Sequence, residues 1–271
     1  MAAAAPFGPG PFLIAGPCVL EDDRLNISVG EHLARLAERR GITVTYKASF
    51  DKANRSRLDA ARGPGLHEGL AALARVRGAT GLAILTDVHD ASQPALAADV
   101  ADVLQIPAFL CRQTDLLVAA GRTGKPVNVK KGQWMSPEAM AGALEKVTGS
   151  GASAVAVTER GTFFGYGDLV VDMRSFARLR EACHAPVIFD ATHSVQQPGR
   201  GQGGTSGGLR EFIPPLLFAA AAAGADGFFL ETHPDPANAP SDGPNMIPLA
   251  DLDELIARTL DIWHTARGGR R

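Results

Sequence analysis

Eight short apolar runs alternate with amphipathic segments along almost the whole chain. These runs predict eight β-strands, at residues 12–18, 43–49, 82–87, 103–106, 126–130, 154–159, 186–191 and 227–231. Helix signals lie between them, such as the stripe of Leu33, Leu36 and Ala37, which Gly41 ends. Eight strands with seven crossovers and a closing helix predict an α/β fold, a single-domain (β/α)8 (TIM) barrel. A doubly wound open sheet is the alternative that strand counting leaves open.

The length of the chain suits one such barrel. Its 271 residues slightly exceed the roughly 250 that this architecture needs. We assign residues 11–266 to the barrel, 1–10 to a flexible N-terminal tail and 267–271 to a frayed C-terminus. The segment 196–208 holds six glycines in thirteen residues, which predicts a mobile loop, either a lid or a surface insertion.

Composition excludes several classes of partner. The formal net charge of -2 gives no overall attraction for nucleic acid or an anionic membrane. No apolar run reaches the roughly 18 residues of a membrane span. Three cysteines without paired spacing favour free thiols in a reducing cytoplasm over a disulfide framework. We therefore expect a cytoplasmic protein with neither nucleic-acid nor membrane partners.

Cationic side chains stand at or just after the ends of several predicted strands. They are Lys47, Lys52, Arg55, Lys130 and Arg160. In a barrel the carboxyl ends of all strands share one mouth, where these groups would repel one another unless anions neutralised them. Their convergence predicts a ligand with phosphate and carboxylate groups, bound through charge-assisted hydrogen bonds.

A second set of strand-end residues has metal-binding chemistry. Cys18, His193 and Glu231 each end an apolar run, and Asp242 lies in the Pro-rich loop after the last run. If the three runs are neighbouring strands, one thiolate, one imidazole and two carboxylates converge, and this set can hold a divalent cation.

Single cysteines and histidines are more often core or surface residues than ligands. We give that interpretation to Cys111 and Cys183. The same interpretation applies to four histidines in helical or loop context: His32, His67, His184 and His264. His89 and His233 stand near strand ends and stay open.

Several segments resemble the signature motifs of one enzyme family. They are Ile14–Cys18 (IAGPC), Lys47–Ser56 (KASFDKANRS), Thr86–His89 (TDVH), Leu104–Asp115 (LQIPAFLCRQTD), Val127–Trp134 (VNVKKGQW), Thr158–Gly161 (TERG), Phe189–Gln196 (FDATHSVQ) and Glu231–Pro236 (ETHPDP). Over roughly residues 11 to 262, the chain is similar to the 3-deoxy-D-manno-octulosonate 8-phosphate synthases.

The resemblance implies a barrel enzyme that condenses phosphoenolpyruvate with D-arabinose 5-phosphate and water. The products are 3-deoxy-D-manno-octulosonate 8-phosphate, for the inner core of bacterial lipopolysaccharide, and phosphate. By similarity, Lys130 and Arg160 bind the phosphoenolpyruvate phosphate, with Gln105 nearby. The other implied substrate-binding residues are Lys47 and Lys52, facing the carboxylate and the reacting carbons, Asn54, Arg55 and Ser56, for the sugar and its phosphate, and Asp87. Arg112 resembles the arginine that reaches a neighbouring subunit's site, which implies a homo-oligomer, usually a tetramer.

The family has a metal-dependent and a metal-independent form. Cys18 is similar to the metal-dependent form, since the other form has Asn at that position. Gly243 and Pro244 are instead more typical of the metal-independent form. The resemblance therefore implies a divalent metal cofactor (Zn, Fe, Mn or Co) held by the thiolate, imidazole and carboxylate set, without saying how strictly it is required. The implied catalytic residues are Lys52, His193 and Asp242.

Two alternative functions are weighed against this one. The sister synthase that joins phosphoenolpyruvate to erythrose 4-phosphate shares the barrel and the metal set, but its motif has Pro where this chain has Ala53 and Asn54. A non-catalytic barrel that binds sugar phosphates is the alternative from another class, and no loss of reactive groups favours it.

Overall fold

Eight parallel strands of the described residues form a closed barrel. The computed structural model of the chain describes residues 6–55, 57–200 and 207–268. The strands are β1 (Phe12–Gly16), β2 (Thr43–Lys47), β3 (Ala83–Asp87), β4 (Val103–Ile106), β5 (Val127–Lys130), β6 (Val155–Glu159), β7 (Val187–Asp190) and β8 (Gly227–His233). They pair in chain order around the barrel, and β1 pairs with both β2 and β8. An open sheet would leave two edges, so the predicted barrel is confirmed and the doubly wound alternative is wrong. Each predicted strand agrees with the structure to within two residues at either end.

A helix follows each barrel strand in the described part of the chain. The helices are α1 (Asp23–Arg40), α2 (Leu66–Thr80), α3 (Gln93–Ala98), α4 (Thr114–Arg122), α5 (Ala141–Gly149), α6 (Ser175–Cys183), α7 (Ile213–Ala223) and α8 (Leu252–Ala266). At the start of α1, the Asp22 side chain accepts from Leu25 N over 2.9 Å, and α1 ends at Gly41, whose φ of 62° is left-handed. None of the described helices is both long and apolar enough to cross a membrane.

Smaller elements surround the mouth of the barrel. A β-hairpin of Thr162–Gly165 and Asp168–Val170 follows β6, and the antiparallel pair Gln196–Gln197 and Gly207–Gly208 follows β7. Between the two short strands, residues 201–206 of the predicted lid lie outside the described residues. Short helical turns are Ala108–Leu110, Glu138–Met140, Ala191–Ser194, Arg210–Phe212, Pro236–Asn238, Gly243–Asn245 and Leu249–Asp251.

Two apolar cores are buried on the two faces of the strands. The larger one fills the space between the barrel and its helices. The smaller one fills the barrel interior and consists of Phe12, Ile14, Leu85, Val103, Ala156, Ile188 and Phe229. A strand that is covered on both faces must be apolar on both. The strand sequences are therefore continuous apolar runs instead of alternating apolar and polar residues. Polar inward-facing residues come later along the strands, so reactive side chains collect at the carboxyl ends.

The ends of the described chain contact the barrel. Phe7, in the segment assigned to a tail, packs on the interior core, with its ring centroid 5.8 Å from that of Phe12. Arg267, in the segment assigned to a frayed end, donates to Ala225 O over 2.8 Å and lies 4.0 Å from the ring centroid of Trp263. Residues 1–5 and 269–271 of these two segments lie outside the described residues.

Candidate active site

A cavity of about 880 Å³ opens at the carboxyl ends of the barrel strands. This volume lies within the range of small-molecule sites, about 300–1,000 Å³. The predicted site residues that line it are Lys47, Lys52, Asn54, Arg55, Asp87, Lys130, Arg160, His193 and Asp242. The cationic side chains predicted to converge therefore share one cavity. Ser56, predicted for the sugar phosphate, lies outside the described residues.

Lys47 ends β2 with its ammonium buried among carboxylates. Lys47 Nζ lies 2.9 Å from Glu231 Oε1 and 3.6 Å from Asp87 Oδ2, and it donates to Cys18 O over 3.2 Å. Burial by itself lowers the pKa of Lys47, but the charges of Glu231 and Asp87 outweigh burial and raise that pKa. Burial likewise favours neutral carboxyl groups, yet the ammonium keeps the pKa of Asp87 and of Glu231 well below the usual range. All three groups are therefore charged at neutral pH.

Lys130, at the end of β5, forms a second buried ion pair. Its Nζ lies 2.7 Å from Asp190 Oδ2 and 3.7 Å from the centroid of the Phe229 ring. Burial lowers the pKa of Lys130, and the charge of Asp190 offsets part of that effect. Lys47 Nζ lies over the same ring at 5.5 Å, so Phe229 forms a floor beneath both ammonium groups.

Asp190 also orients His193. As the N-cap of the turn Ala191–Ser194, its side chain accepts from His193 N over 2.9 Å, and His193 Nδ1 lies 2.8 Å from Asp190 Oδ2. An ionised carboxylate only accepts hydrogen bonds, so this contact assigns the imidazole proton to Nδ1. His193 Nε2, on the other side of the ring, lies 3.7 Å from Glu231 Oε1.

Three of the four predicted metal ligands meet at the edge of the cavity. Cys18, Glu231 and Asp242 each place a ligand atom within 4.8 Å of the others. Glu231 Oε2 is buried and has no hydrogen-bond partner among the described residues, and such a group is costly unless a donor or a cation pairs with it. Burial and the charge of Glu231 raise the pKa of Cys18. This donor set fits a divalent cation that accepts thiolate and carboxylate ligands.

His193, the fourth predicted ligand, lies beside these three residues. In the described structure, its ring nitrogens are not within 4.8 Å of all three ligand atoms. Its contact with Glu231 Oε1 places the imidazole next to the proposed ligands, and its carboxylate partner Asp190 resembles the orienting groups found behind metal-bound imidazoles.

The backbone around Asp242 is tightly constrained. Asp242 has a φ of 51°, a left-handed conformation that is uncommon for residues other than glycine. A Cβ atom at Gly243 would lie 2.3 Å from Pro236 O. Gly243, which the family resemblance associates with the metal-independent form, thus has a packing reason in this chain.

Three guanidinium groups lining the cavity have only neutral hydrogen-bond partners in the described structure. Arg55 Nη1 donates to Ser241 Oγ over 2.8 Å, and Arg160 Nη2 donates to Gln196 Oε1 over 2.6 Å. Arg210 Nη2 donates to Gly243 O over 2.6 Å. Each group also keeps one buried nitrogen without a partner among the described residues, namely Arg55 Nη2, Arg160 Nη1 and Arg210 Nε. A buried guanidinium nitrogen without a hydrogen-bond acceptor is unfavourable, so this arrangement favours anionic ligands that supply one.

Gln196 connects the cationic and metal-binding parts of the cavity. Its Oε1 accepts from Arg160, and its Nε2 donates to Asp242 Oδ1 over 3.0 Å. One side chain therefore bridges the arginine predicted for phosphate and a predicted metal ligand.

Gln105, which the family resemblance places near the phosphate, lies beneath the cavity. The residue is fully buried and does not line the cavity. Its Nε2 donates to Asp87 Oδ1 over 2.6 Å, and its Oε1 accepts from Asn128 Nδ2 over 2.8 Å. Its amide therefore links Asp87 to Asn128 beneath the floor of the site.

Of the other residues considered from the sequence, some line the cavity and some lie elsewhere. Arg112 is exposed and does not line the cavity. Of the two histidines without a predicted role, His89 lines the cavity. His233 Nε2 lies 3.0 Å from Glu21 Oε1 and links the end of β8 to the loop after β1. Cys111 is fully buried and Cys183 is partly buried; both are free thiols.

Sequence reasoning gave no role to three residues that shape the site. Asp190 stands three positions before His193, the spacing of an N-cap, and Gln196 ends a recognisable motif, so both had a usable signal. Arg210 follows the glycine-rich segment instead of a strand, and no local pattern in the sequence distinguishes it from a surface arginine.

Fold and site together define a (β/α)8 protein with a cation-lined cavity suited to polyanionic ligands. The chain belongs to the DAHP synthetase I family, whose sequence profile matches residues 8–263. That span includes every strand and helix of the barrel except the last turn of α8.

Relatives in several bacteria are more than 50% identical to this chain over the aligned residues. The 2-dehydro-3-deoxyphosphooctonate aldolase of Bradyrhizobium sp. strain ORS 278 is 58% identical over 256 residues, which are 94% of this chain and 89% of that protein. The same-named protein of Bradyrhizobium sp. strain BTAi1 is 57% identical over 248 residues, 92% of this chain and 86% of the relative. That of Desulfotalea psychrophila is 54% identical over 250 residues, 92% of this chain and 89% of the relative. The name denotes the 3-deoxy-D-manno-octulosonate 8-phosphate synthases, so the resemblance drawn from the motifs is confirmed.

Proposed function

We propose that the chain catalyses the condensation of phosphoenolpyruvate with D-arabinose 5-phosphate and water. The products are 3-deoxy-D-manno-octulosonate 8-phosphate and inorganic phosphate. The observation that carries the proposal is the cavity itself, in which Arg55, Arg160 and Arg210 have no counter-ion among the described residues. Two phosphorylated substrates, one of which is also a carboxylate, supply the anions that these groups require.

Phosphoenolpyruvate occupies the part of the cavity above Phe229 in this proposal. Lys130 and Arg160 bind its phosphate, since Arg160 offers a free Nη1 and Lys130 points its ammonium into the cavity. Lys47, held by Asp87 and Glu231, faces the carboxylate and the reacting carbons. Because these cationic groups are already held in place, they need not reorient as charge develops during the reaction.

The sugar phosphate binds on the other side, along the loop after β2. Asn54 and Arg55 line the cavity there, and Arg55 is held by Ser241. This placement puts the aldehyde of the sugar between Lys47 and Lys52 on one side and the proposed metal ligands on the other. Orienting two substrates in one cavity converts their encounter into an effectively intramolecular step.

The reaction then follows from charge. The C3 carbon of phosphoenolpyruvate attacks the aldehyde carbon, a C–C bond forms, and the aldehyde oxygen takes a proton from Lys52. Water adds to the cationic C2 carbon and loses its proton to Asp242. As the bond between C2 and the phosphate oxygen breaks, the new C2 hydroxyl gives its remaining proton to the departing phosphate, and this leaves the C2 ketone. His193, held by Asp190, is the further candidate for moving a proton in this step.

Cys18, His193, Glu231 and Asp242 are the residues that would hold a divalent metal. The buried, unpaired Glu231 Oε2 and the close approach of Cys18 and Asp242 support this proposal. When bound, such an ion acts as a Lewis acid that polarises a nearby oxygen or orients a substrate. Zn, Fe, Mn and Co are all compatible with these mixed donors.

We further propose a cytoplasmic homo-oligomer, a tetramer by similarity, that serves lipopolysaccharide synthesis. Exposed aromatic rings near the mouth support an interface between copies. Phe109 and Trp134 stack at 6.0 Å although both are largely exposed, and Arg112 lies exposed on the same strand-to-helix loop as Phe109. Light scattering of the purified chain measures the mass of the assembly, and a monomer would contradict this part of the proposal.

Phosphate release tests the function directly. Phosphoenolpyruvate is incubated with arabinose 5-phosphate or with erythrose 4-phosphate, before and after chelation and with divalent metal added back. Turnover specific for arabinose 5-phosphate is expected, and chelation is expected to abolish it. Turnover with erythrose 4-phosphate alone would assign the chain to the sister reaction, and no turnover with either sugar would leave a binding protein.

A further inference from the structure

A chain of buried hydrogen bonds runs across four neighbouring strands beneath the cavity. Thr158 Oγ1 donates to Asn128 Oδ1 over 2.7 Å, and Asn128 Nδ2 donates to Gln105 Oε1 over 2.8 Å. Gln105 Nε2 then donates to Asp87 Oδ1 over 2.6 Å. The strand pairing explains the order, since Asp87 is aligned with Gln105 and Gln105 with Asn128. The last member, Asp87, is the first to reach the cavity.

The direction of this chain is fixed at its Asp87 end. An ionised carboxylate only accepts hydrogen bonds, so Gln105 must present its NH2 group to Asp87 and its carbonyl oxygen to Asn128. Asn128 must in turn present its NH2 group to Gln105, and its own oxygen takes the Thr158 hydroxyl. Every donor therefore points towards Asp87. The Ser49 hydroxyl, a short contact on the other side, donates to Asp87 Oδ2.

Burial makes each link matter. Thr158, Asn128 and Gln105 are fully buried and do not line the cavity. Polar groups in such a position must be satisfied by one another, and a wrongly oriented amide cannot be repaired by water. The interior apolar core lies on one side of the layer and the cavity on the other, so the described residues offer these amides no alternative partner there.

This series of hydrogen bonds ends at Asp87, next to the Lys47 ammonium, which faces the phosphoenolpyruvate carboxylate in the proposed function. Lys47 Nζ lies 3.6 Å from Asp87 Oδ2 and 2.9 Å from Glu231 Oε1, between the two carboxylates. If Asp87 turned away or lost its charge, Lys47 would keep its contacts with Glu231 Oε1 and Cys18 O and would lose the attraction of the second carboxylate. The ammonium would then move off the cavity floor towards Cys18 and Glu231.

We propose that Asn128 is a positioning residue for phosphoenolpyruvate binding. Through Gln105 it keeps Asp87 oriented towards Lys47, and so holds the Lys47 ammonium where the substrate carboxylate binds. The inference rests on the proposed function for the identity of the ligand. It adds a residue that touches no substrate and lies two hydrogen bonds away from Asp87, and it makes Gln105 the link between the two.

The substitution Asn128→Asp tests the donor-to-acceptor direction of these hydrogen bonds, because the two side chains have almost the same shape. The introduced carboxylate can only accept, so Gln105 must turn its NH2 group towards it and its carbonyl oxygen towards Asp87. We expect phosphoenolpyruvate, titrated calorimetrically, to bind at least about tenfold more weakly, the effect of losing a hydrogen bond to a charged group. The KM for arabinose 5-phosphate should stay within about twofold, because Asn54 and Arg55 lie on another loop.

Two further variants separate positioning from general loss of packing. Thr158→Val removes a buried hydroxyl from the far end of the same chain but leaves the two donors that lead to Asp87, so phosphoenolpyruvate affinity should hardly change. Asn128→Leu removes the directing donor without adding charge and frees Gln105 to turn, so an intermediate loss is expected. Thermal unfolding of all three reports stability independently, and Asn128→Leu carries the test if Asn128→Asp fails to fold.

The outcomes distinguish the inference from the proposed function. If the two Asn128 variants bound phosphoenolpyruvate as tightly as Thr158→Val does, the inference would be overturned and the proposed function would stand. A parent protein that binds phosphoenolpyruvate but turns over neither sugar would overturn the proposed reaction and leave the positioning role standing. A parent that does not bind phosphoenolpyruvate at all would overturn both.

Discussion

The thiol of Cys18 lies 3.2 Å from Asp242 Oδ2, although 224 positions separate the two residues along the chain. The contact exists because β1 and β8 are neighbours only after the barrel closes. It brings the Cys18 sulfur, just after the first strand, to the loop after the last one, and a ligand atom of Glu231 lies within 4.8 Å of both groups. The thiol donates to the carboxylate at this contact, and a cation bound by both groups would replace the donated proton.

Removal of the sulfur ligand should weaken metal binding far more than folding. For Cys18→Asn we expect the affinity for Zn²⁺ or Mn²⁺, measured by equilibrium dialysis, to fall by more than about tenfold. Cys183→Ser is the matched control, because it removes a thiol that is only partly buried and lies outside the proposed ligand set. Unchanged affinity in the Cys18 variant would show that this residue is not a ligand.

Arg55 should determine affinity for the sugar phosphate. Its free Nη2 is buried in the cavity, so Arg55→Gln should raise the KM for arabinose 5-phosphate by about 10–100-fold, the effect of losing a charged hydrogen-bond partner. Arg62→Gln in the same loop is the control, since Arg62 forms an exposed ion pair with Asp51 and such pairs are worth little. Similar effects of the two substitutions would place the sugar phosphate elsewhere.

Arg160 should be required as a guanidinium and not only as a charge. Arg160→Lys keeps one positive charge but loses the planar fork that binds Gln196 and leaves Nη1 free for a phosphate oxygen. Steady-state kinetics should show a KM for phosphoenolpyruvate raised by about tenfold or more. In Arg174→Lys, which alters an exposed pair with Asp172, the same constant should not move. A lysine variant with parental KM would remove Arg160 from the phosphate site.

Two glycines of α2 should respond oppositely to alanine. A Cβ at Gly69 would lie 2.3 Å from Phe50 Cβ and 3.1 Å from Phe50 Cα, whereas a Cβ at Gly78 meets no atom within 4 Å. Gly69→Ala should therefore lower the free energy of unfolding by about 1–3 kcal/mol through overpacking. Gly78→Ala should raise it by about 0.5–1 kcal/mol, because alanine is the better helix former. Chemical denaturation measures both, and a stable Gly69 variant would mean that α2 can move away from the barrel.

The local sequence was sufficient for the strands and for most of the cavity. Lys47, Lys130 and Arg160 each stand at or just after the carboxyl end of an apolar run, and barrel topology brings all such ends to one mouth. Their meeting in one cavity therefore required only that the runs be recognised as strands. The motif around Asn54 and Arg55 added the chemical identity of the substrates.

Contacts between distant strands could not be predicted in the same way. Gln105 belongs to a family motif, but the motif does not show that its amide contacts Asp87 and Asn128, which come from the two flanking strands. Arg210 reaches the cavity because Gly243 O holds its guanidinium, a contact between two loops. The sequence by itself determined which side chains reach the mouth, because the period and polarity of each strand are local properties. Only the tertiary structure decided which of them pair with one another, because hydrogen-bond direction and ion pairing depend on distances across the closed barrel.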